Sequence, residues 1–187
     1  MQIELKKGNM PTKEEILDMA KGQSKVIIRG EEPLNRTDII KILKGISCEE
    51  LVLETDGQEL KAMAADLKNA GVTGVIVVVN TFNHTRYNQS NTGKHLDPVI
   101  EGINEAVAQN LKIRLHVALK KGFNDDEVLD FLQLTFLQDY EIIFLNTMNY
   151  DEIKEKMPAL MPALGGDENI EMFRYPVGKG KLGFLKN

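Results

Sequence analysis

Two apolar periodicities alternate along the chain. Short runs with strand character stand at residues 25–29, 51–54, 75–79, 113–119 and 141–145. Between them, apolar residues fall three and four apart, as on one face of a helix. The sets are Ile16, Leu17 and Ala20; Ile39, Ile40 and Leu43; Leu60, Met63, Ala64 and Leu67; Val99, Ile103 and Val107; and Val128, Leu129, Phe131 and Leu132. Capping signals mark the helix ends. Thr12-Lys13-Glu14-Glu15 has capping-box spacing, Asn35 or Thr37 can cap the second helix, and Asp97-Pro98 supplies a cap followed by an N1 proline. Asn124 or Asp125 can cap the fifth helix, while Gly45 and Gly71 stop two others. Residues 1–7 alternate around Ile3 and Leu5 and read as a short strand. Residues 150–156 predict a short helix, the tandem Met-Pro-Ala-Leu at 157–164 a packed loop, and residues 172–177 a last edge strand.

Strand and helix alternate at least five times at the spacing of βαβ units, which predicts an α/β fold with a mostly parallel sheet. No Pro/Ser-rich linker divides the chain, so residues 1–187 read as a single domain. Periodicity admits a partial (β/α)6 TIM-like barrel or an open doubly wound sheet. Composition narrows the function classes rather than the fold. A net charge of -5 argues against nucleic acid or an anionic membrane as main partner. No apolar run approaches the roughly 20 residues of a membrane span, and residues 1–7 have no signal-peptide pattern. One cysteine, Cys48, excludes an internal disulfide and fits a reducing cytoplasm. A lone thiolate also cannot hold a Cys-rich cluster or zinc site.

Alternation assigns strand faces. With Ile113, Leu115, Val117 and Leu119 turned towards helices, Arg114 and His116 point into the sheet interior. The same reading turns Arg29 and Glu31, Glu54 and Asp56, and Asn80 inward, near the carboxyl ends of their strands. Ligands bind at those ends in such folds. Arg29, Glu32, Glu54, Asp56, Asn80, Arg114 and His116 are therefore candidate ligand-binding residues. The arginines would hold a carboxylate or phosphate, and the acids and Asn80 would take amine or hydroxyl donors. The same residues would equally make a self-neutralising network that closes the top of the fold.

Other signals are weaker. Gly178-Lys179-Gly180-Lys181-Leu182-Gly183 fits G-x-G-x-x-G, but no helix follows on which a pyrophosphate could dock. His84, His95 and His116 lack metal-ligand spacing. Cys48 reads as a small packing residue, and Asn124-Asp125-Asp126-Glu127 as a helix start favoured by the dipole.

The wording of the loops adds a family. Arg29-Gly30-Glu31-Glu32-Pro33-Leu34 resembles the T-G-G-E-P-L motif of radical S-adenosylmethionine (SAM) enzymes, and Thr55-Asp56-Gly57 falls where they often have T-N-G. Val77-Val78-Val79-Asn80-Thr81 is similar to the I-S-L-D-S of the molybdenum-cofactor branch, and Lys121-Gly122-Phe123-Asn124-Asp125-Asp126-Glu127 to its K-G-x-N-D-D-E loop. The segment from Arg174 to Phe184 looks like the one preceding that branch's second cluster domain. The resemblance implies a partial (β/α) barrel, SAM as a ligand and a [4Fe-4S] cluster ligated by C-x-x-x-C-x-x-C after the first strand. Here that loop, Gly8-Asn9-Met10-Pro11, has no cysteine, and no second set follows. Glu31 stands for a glycine and Val78 for a serine of the SAM site, and Asn80 for an aspartate. The expectation is a non-catalytic or repurposed relative that binds a small polar ligand or a protein partner, with no cluster from this chain. Two enzyme readings stand beside it: a molybdenum-cofactor-type component using a partner-supplied cluster, and acid/base chemistry by His116 with Glu54 or Asp56. An unclosed sheet edge favours a homodimer.

Overall fold

In the computed structural model, residues 1–145, 153, 155, 157–166 and 169–185 are described. The first elements are β1 (Gln2–Leu5), α1 (Lys13–Ala20), β2 (Lys25–Gly30), a 3₁₀ turn (Pro33–Asn35), α2 (Ile39–Leu43), β3 (Glu50–Thr55), α3 (Leu60–Asn69) and β4 (Gly74–Val78). Then come α4 (His84–Ser90), α5 (Leu96–Ala108), β5 (Lys112–Ala118), α6 (Val128–Leu137), β6 (Glu141–Leu145), β7 (Met161–Pro162), β8 (Ile170–Arg174) and β9 (Lys181–Leu185). The chain divides into two compact units, Met1–Val78 with His95–Ile113, and Val79–Lys94 with Arg114–Asn187.

In the first unit β1, β2, β3 and β4 lie side by side in chain order, all parallel. This non-reversing order is that of a (β/α) barrel; a doubly wound sheet reverses at a switch point. Val26, Ile28, Leu51, Leu53, Val75 and Val77 are buried, as alternation requires. Helix α1 starts with the expected capping box between Thr12 and Glu15. Helices α3 and α5 pack closely because residue 102 is glycine: a Cβ there would stand 2.9 Å from Leu60 Cβ and 3.0 Å from the Gly57 carbonyl. The α/β class and the parallel strands are thus as the periodicity predicted.

In the second unit β5 pairs with β6 and β6 with β9, both parallel; β8 and β7 then add antiparallel strands. Phe131, Phe144, Phe184 and Phe173 form a chain of ring contacts with centroids 5.4–6.1 Å apart. Here several sequence expectations are corrected. The glycine-rich segment that mimicked a nucleotide motif runs into β9. A Cβ on Gly180 would collide with the Tyr140 carbonyl, and one on Gly183 would meet Ile143 Cδ1 at 2.5 Å and Met172 Sδ at 2.8 Å. These glycines admit close strand packing, not a phosphate. The strand expected at 172–177 is β8, ending at Arg174 and flanked on both sides, and part of the expected loop at 157–164 is the short strand β7. The polar stretch after β4 contains α4. Helix α5 is capped from His95, so Asp97 and Pro98 sit inside its first turn. Asp38 and Glu127 occupy the cap positions of α2 and α6, neither through a side-chain bond. The helix expected at 150–156 lies outside the described residues, save Ile153 and Glu155.

Candidate functional site

The carboxyl ends of β1 and β2 meet in a tight arrangement. Only seven residues separate Leu5 from Lys13. They fold back through a turn at Gly8 (φ +80°), with a bridge between Lys6 and Asn9 and a 3.0 Å bond from Asn9 N–H to the Lys6 carbonyl. Arg36 fastens this turn from the other side. Its guanidinium donates to the Pro11 carbonyl at 2.7 Å and forks onto Asp38 at 2.5 and 3.2 Å, which holds the Asp38 carboxyl below the usual carboxylate range. Between turn and 3₁₀ segment lies a groove of about 770 Å³, floored by Leu5, Met10 and Pro11 and rimmed by Lys7, Glu31 and Asn35. Gly30 has φ +110°, and a Cβ on it would collide with the Leu5 carbonyl. Glycine here lets β2 leave the sheet against β1.

Glu32, read from sequence as a ligand residue, braces the loops. Its carboxylate accepts from Leu34 N–H (3.1 Å), the Thr55 hydroxyl (2.7 Å) and Asp56 N–H (2.7 Å). Thr55 Oγ1 in turn accepts from Gly57 N–H at 3.0 Å, so the end of β3 is held at successive residues. Burial pushes the Glu32 carboxyl up; these hydrogen bonds pull the other way without cancelling it. Asp56 accepts from Gln58 N–H at 3.0 Å. Arg29 faces Glu54 at 3.5 Å and donates to Gln2 at 3.3 Å.

Asn80, Arg114 and His116 lie in the second unit. The Asn80 side-chain oxygen accepts from Ala118 N–H at 2.8 Å, and Val79 N–H donates to the His116 carbonyl at 3.1 Å. Arg114 forks onto one oxygen of Glu141 through Nε (2.9 Å) and Nη2. Fully buried Asn124 donates to the carbonyls of Asn80 (2.5 Å) and Ala118 (3.0 Å) and accepts from Lys120 N–H (2.7 Å).

Sequence reading missed a second brace built like the first. Glu127 accepts from the Thr81 hydroxyl (2.6 Å), Phe82 N–H (2.9 Å) and Arg86 (2.7 Å), and Thr81 Oγ1 accepts from Asn83 N–H (3.0 Å). Arg86 also forks onto Asp126 with two 2.7 Å bonds, and those two carboxylates keep its guanidinium firmly protonated. The acids at 125–127 therefore do not act simply as a dipole-favoured helix start. The available signal was a threonine at the end of β3, Thr55, and another three residues after β4, Thr81, each with a carboxylate far away in the chain to receive it.

A [4Fe-4S] cluster ligated in the β1–α1 loop does not fit these residues. The loop offers amines, amides and a hydroxyl but no thiolate. Cys48 lies ahead of β3, at the amino end of that strand, with its thiol 3.4 Å from the Glu50 carbonyl. Among the described residues no group of three His, Cys, Asp or Glu side chains is placed to hold a metal ion. The Glu31 side chain is 42% exposed, opposite Lys7 at 4.0 Å.

Comparison with known proteins bears on the same residues. The family described as the Radical SAM superfamily matches residues 4–135. The chain is 34% identical over 199 residues to the GTP 3′,8-cyclase of Alkaliphilus oremlandii (strain OhILAs), covering 93% of this chain and 62% of that protein. It is 33% identical over 186 residues to the GTP 3′,8-cyclase of Peptoclostridium acidaminophilum, covering 88% and 57%. It is 40% identical over 136 residues to that of Lactiplantibacillus plantarum (strain ATCC BAA-793 / NCIMB 8826 / WCFS1), covering 69% and 40%. The chain spans less than two thirds of the length of these relatives. With the family match running from β1 into α6, through both braces, this chain belongs to the radical SAM superfamily.

Proposed function

We propose that this chain binds a small polar ligand at the carboxyl ends of its strands and works without a cluster held on its own thiolates. The observation that carries the reading is the seven-residue β1–α1 connection, closed by the Lys6–Asn9 bridge. The cysteine motif of the family is itself eight residues long, and this connection has no thiolate. In the first unit Arg29, Glu54 and Asp56 would supply ligand contacts, with Glu32 setting the position of Asp56 through its backbone bond. Arg114, paired with Glu141 at the start of β6, stands towards the amino ends of β5 and β6 and would not take part. Arg29 would meet a carboxylate or phosphate and the acids an amine. SAM, with an ammonium and a carboxylate, is the first ligand to test, in a cytoplasmic setting.

Likeness to GTP 3′,8-cyclases supports a second reading, in which the chain is one component of such an enzyme and a partner supplies the cluster. Titration calorimetry of iron-free protein with SAM and with GTP separates the two. Micromolar SAM binding lost in Arg29→Ala is expected on the first. No heat from either compound, with binding restored by a cluster-bearing partner, would replace it with the second. No binding in either setting would refute both.

A further inference from the structure

Strand β1 has a partner on one side only. Among the described residues it pairs with β2, and the order of the strands leaves its other edge uncovered. The bonds to β2 fix which residues face outward. Ile27 N–H donates to the Met1 carbonyl at 2.9 Å and Glu31 N–H to the Leu5 carbonyl at 2.7 Å, so the odd-numbered residues of β1 turn their backbone groups to β2. The N–H and C=O groups of Gln2 and Glu4 therefore point away from the sheet. Lys6 closes this edge at its far end, since its carbonyl accepts from Asn9 N–H at 3.0 Å. The donors and acceptors of Gln2 and Glu4 suffice for one short added strand.

The open edge is one wall of a groove of about 500 Å³, whose other wall is α1. Ile3, Glu4 and Lys6 line it from the strand, and Glu15, Asp18 and Met19 from the helix. Three carboxylates thus face one ammonium, and that ammonium already lies 3.3 Å from Glu4. The backbone bond from Thr12 holds the Glu15 carboxyl below the usual carboxylate range, so it stays charged. Charged residues along an edge protect it from wrong pairing, and here the protection has one sign. A second copy adding its own β1 about a two-fold axis would set its Glu4, Glu15 and Asp18 against these, like charge on like. A basic segment meets no such penalty.

We infer that the free edge of β1 takes an extended, lysine- or arginine-rich segment of a protein partner as an added strand. Main-chain bonds to Gln2 and Glu4 give the affinity, and the carboxylates select the sign of the segment. Alternate side chains of that segment fall on the two sides of the sheet. One set lies beside Met19 and the acids of α1, the other beside the exposed Glu4 side chain. The surface belongs wholly to the first unit, and the inference does not depend on which small ligand the protein binds.

The probe is a labelled Ac-KVKVK-amide peptide, titrated against the whole chain by fluorescence polarisation. Its controls are Ac-EVEVE-amide and a KVKVK peptide N-methylated at every residue, which has no backbone donors. The basic peptide should bind at least about tenfold more tightly than either control. The double variant Glu4→Gln, Asp18→Asn, at exposed positions that spare the β2 ladder and the Thr12–Glu15 cap, should lose most of the preference for basic over acidic peptide. Residue-resolved amide exchange by NMR reads the geometry. Bound peptide should slow Gln2 and Glu4 and leave Ile3 and Leu5, already tied to β2, unchanged. Failure of the basic peptide to bind, or equal binding of either control, overturns the inference. So does slow exchange at Gln2 and Glu4 that appears without peptide as protein concentration rises, which would make a second copy the occupant.

Discussion

Replacing Glu32 tests whether the loop brace is structural. The carboxylate satisfies three donors: Leu34 N–H, the Thr55 hydroxyl and Asp56 N–H. Leaving a buried donor unsatisfied costs about 1–3 kcal/mol. The sum is reduced because water can reach the half-buried site in Glu32→Ala and because removing a charge relieves its desolvation. A net loss of about 2–4 kcal/mol follows from these opposing terms. Glu32→Gln keeps one acceptor oxygen and should lose about half as much. In a protein of this size that corresponds to a melting point lower by about 5–15 °C for the alanine variant. The pH dependence carries an independent check. Burial raises the folded-state pKa above the ordinary 4.5, so the folded protein binds more protons than the unfolded chain in the window just above that value. Stability contributed by Glu32 therefore increases as pH falls through the folded pKa towards 4.5, and is lower above it. Urea denaturation of the unaltered protein and Glu32→Gln from neutral to mildly acid pH should show their gap widening as pH falls. A gap that narrows would show that the three donors outweigh burial, while an alanine variant within about 0.5 kcal/mol of the unaltered protein, as for an ordinary surface substitution, would refute the brace.

Asn124→Ala removes a fully buried amide serving the backbone at Asn80, Ala118 and Lys120, and should cost about 2–4 kcal/mol in urea denaturation. Asn124→Asp should not rescue it, because the Asn80 and Ala118 carbonyls need a donor. Gly30→Ala combines a left-handed φ with a collision against Leu5, so thermal melting should show a loss of more than about 3 kcal/mol, whereas Gly8→Ala, with open space around it, should cost about 1. Anaerobic iron–sulfur reconstitution should give no absorbance band that depends on Cys48; a band lost in Cys48→Ala would count against the proposed function.

The wording of the chain made much of the site legible. The Gly-Glu-Glu-Pro turn, the Thr-Asp-Gly end of β3 and the acidic loop before α6 were found as motifs, because each is a continuous stretch of local chemistry. Their internal partners were not found. Glu32 lies 23 residues from Thr55, and Glu127 lies 46 residues from Thr81; nothing local signals that a carboxylate will reach a hydroxyl across that distance. Arg114 was legible as an inward charge by alternation, but its Glu141 partner depends on the β5–β6 register. The acids at 125–127 were misread because a helix start and a set of acceptors have the same composition.

By itself the sequence determined the α/β class, the parallel pairing of β2 to β4 and of β5 with β6 within their units, and the family, since these follow from periodicity and from contiguous motifs. It also determined that the first loop has no thiolate. Only the tertiary structure decided that Gly183 belongs to a strand and that Gly180 packs against the Tyr140 backbone, that a polar stretch holds a helix, and which carboxylates act as braces. In each case the deciding force is a contact between residues distant in the chain: a Tyr140 carbonyl against Gly180, a buried Tyr87 and its Arg86 clasp, and a buried carboxylate that needs donors. Periodicity reports which way a residue faces, while packing determines what it meets there.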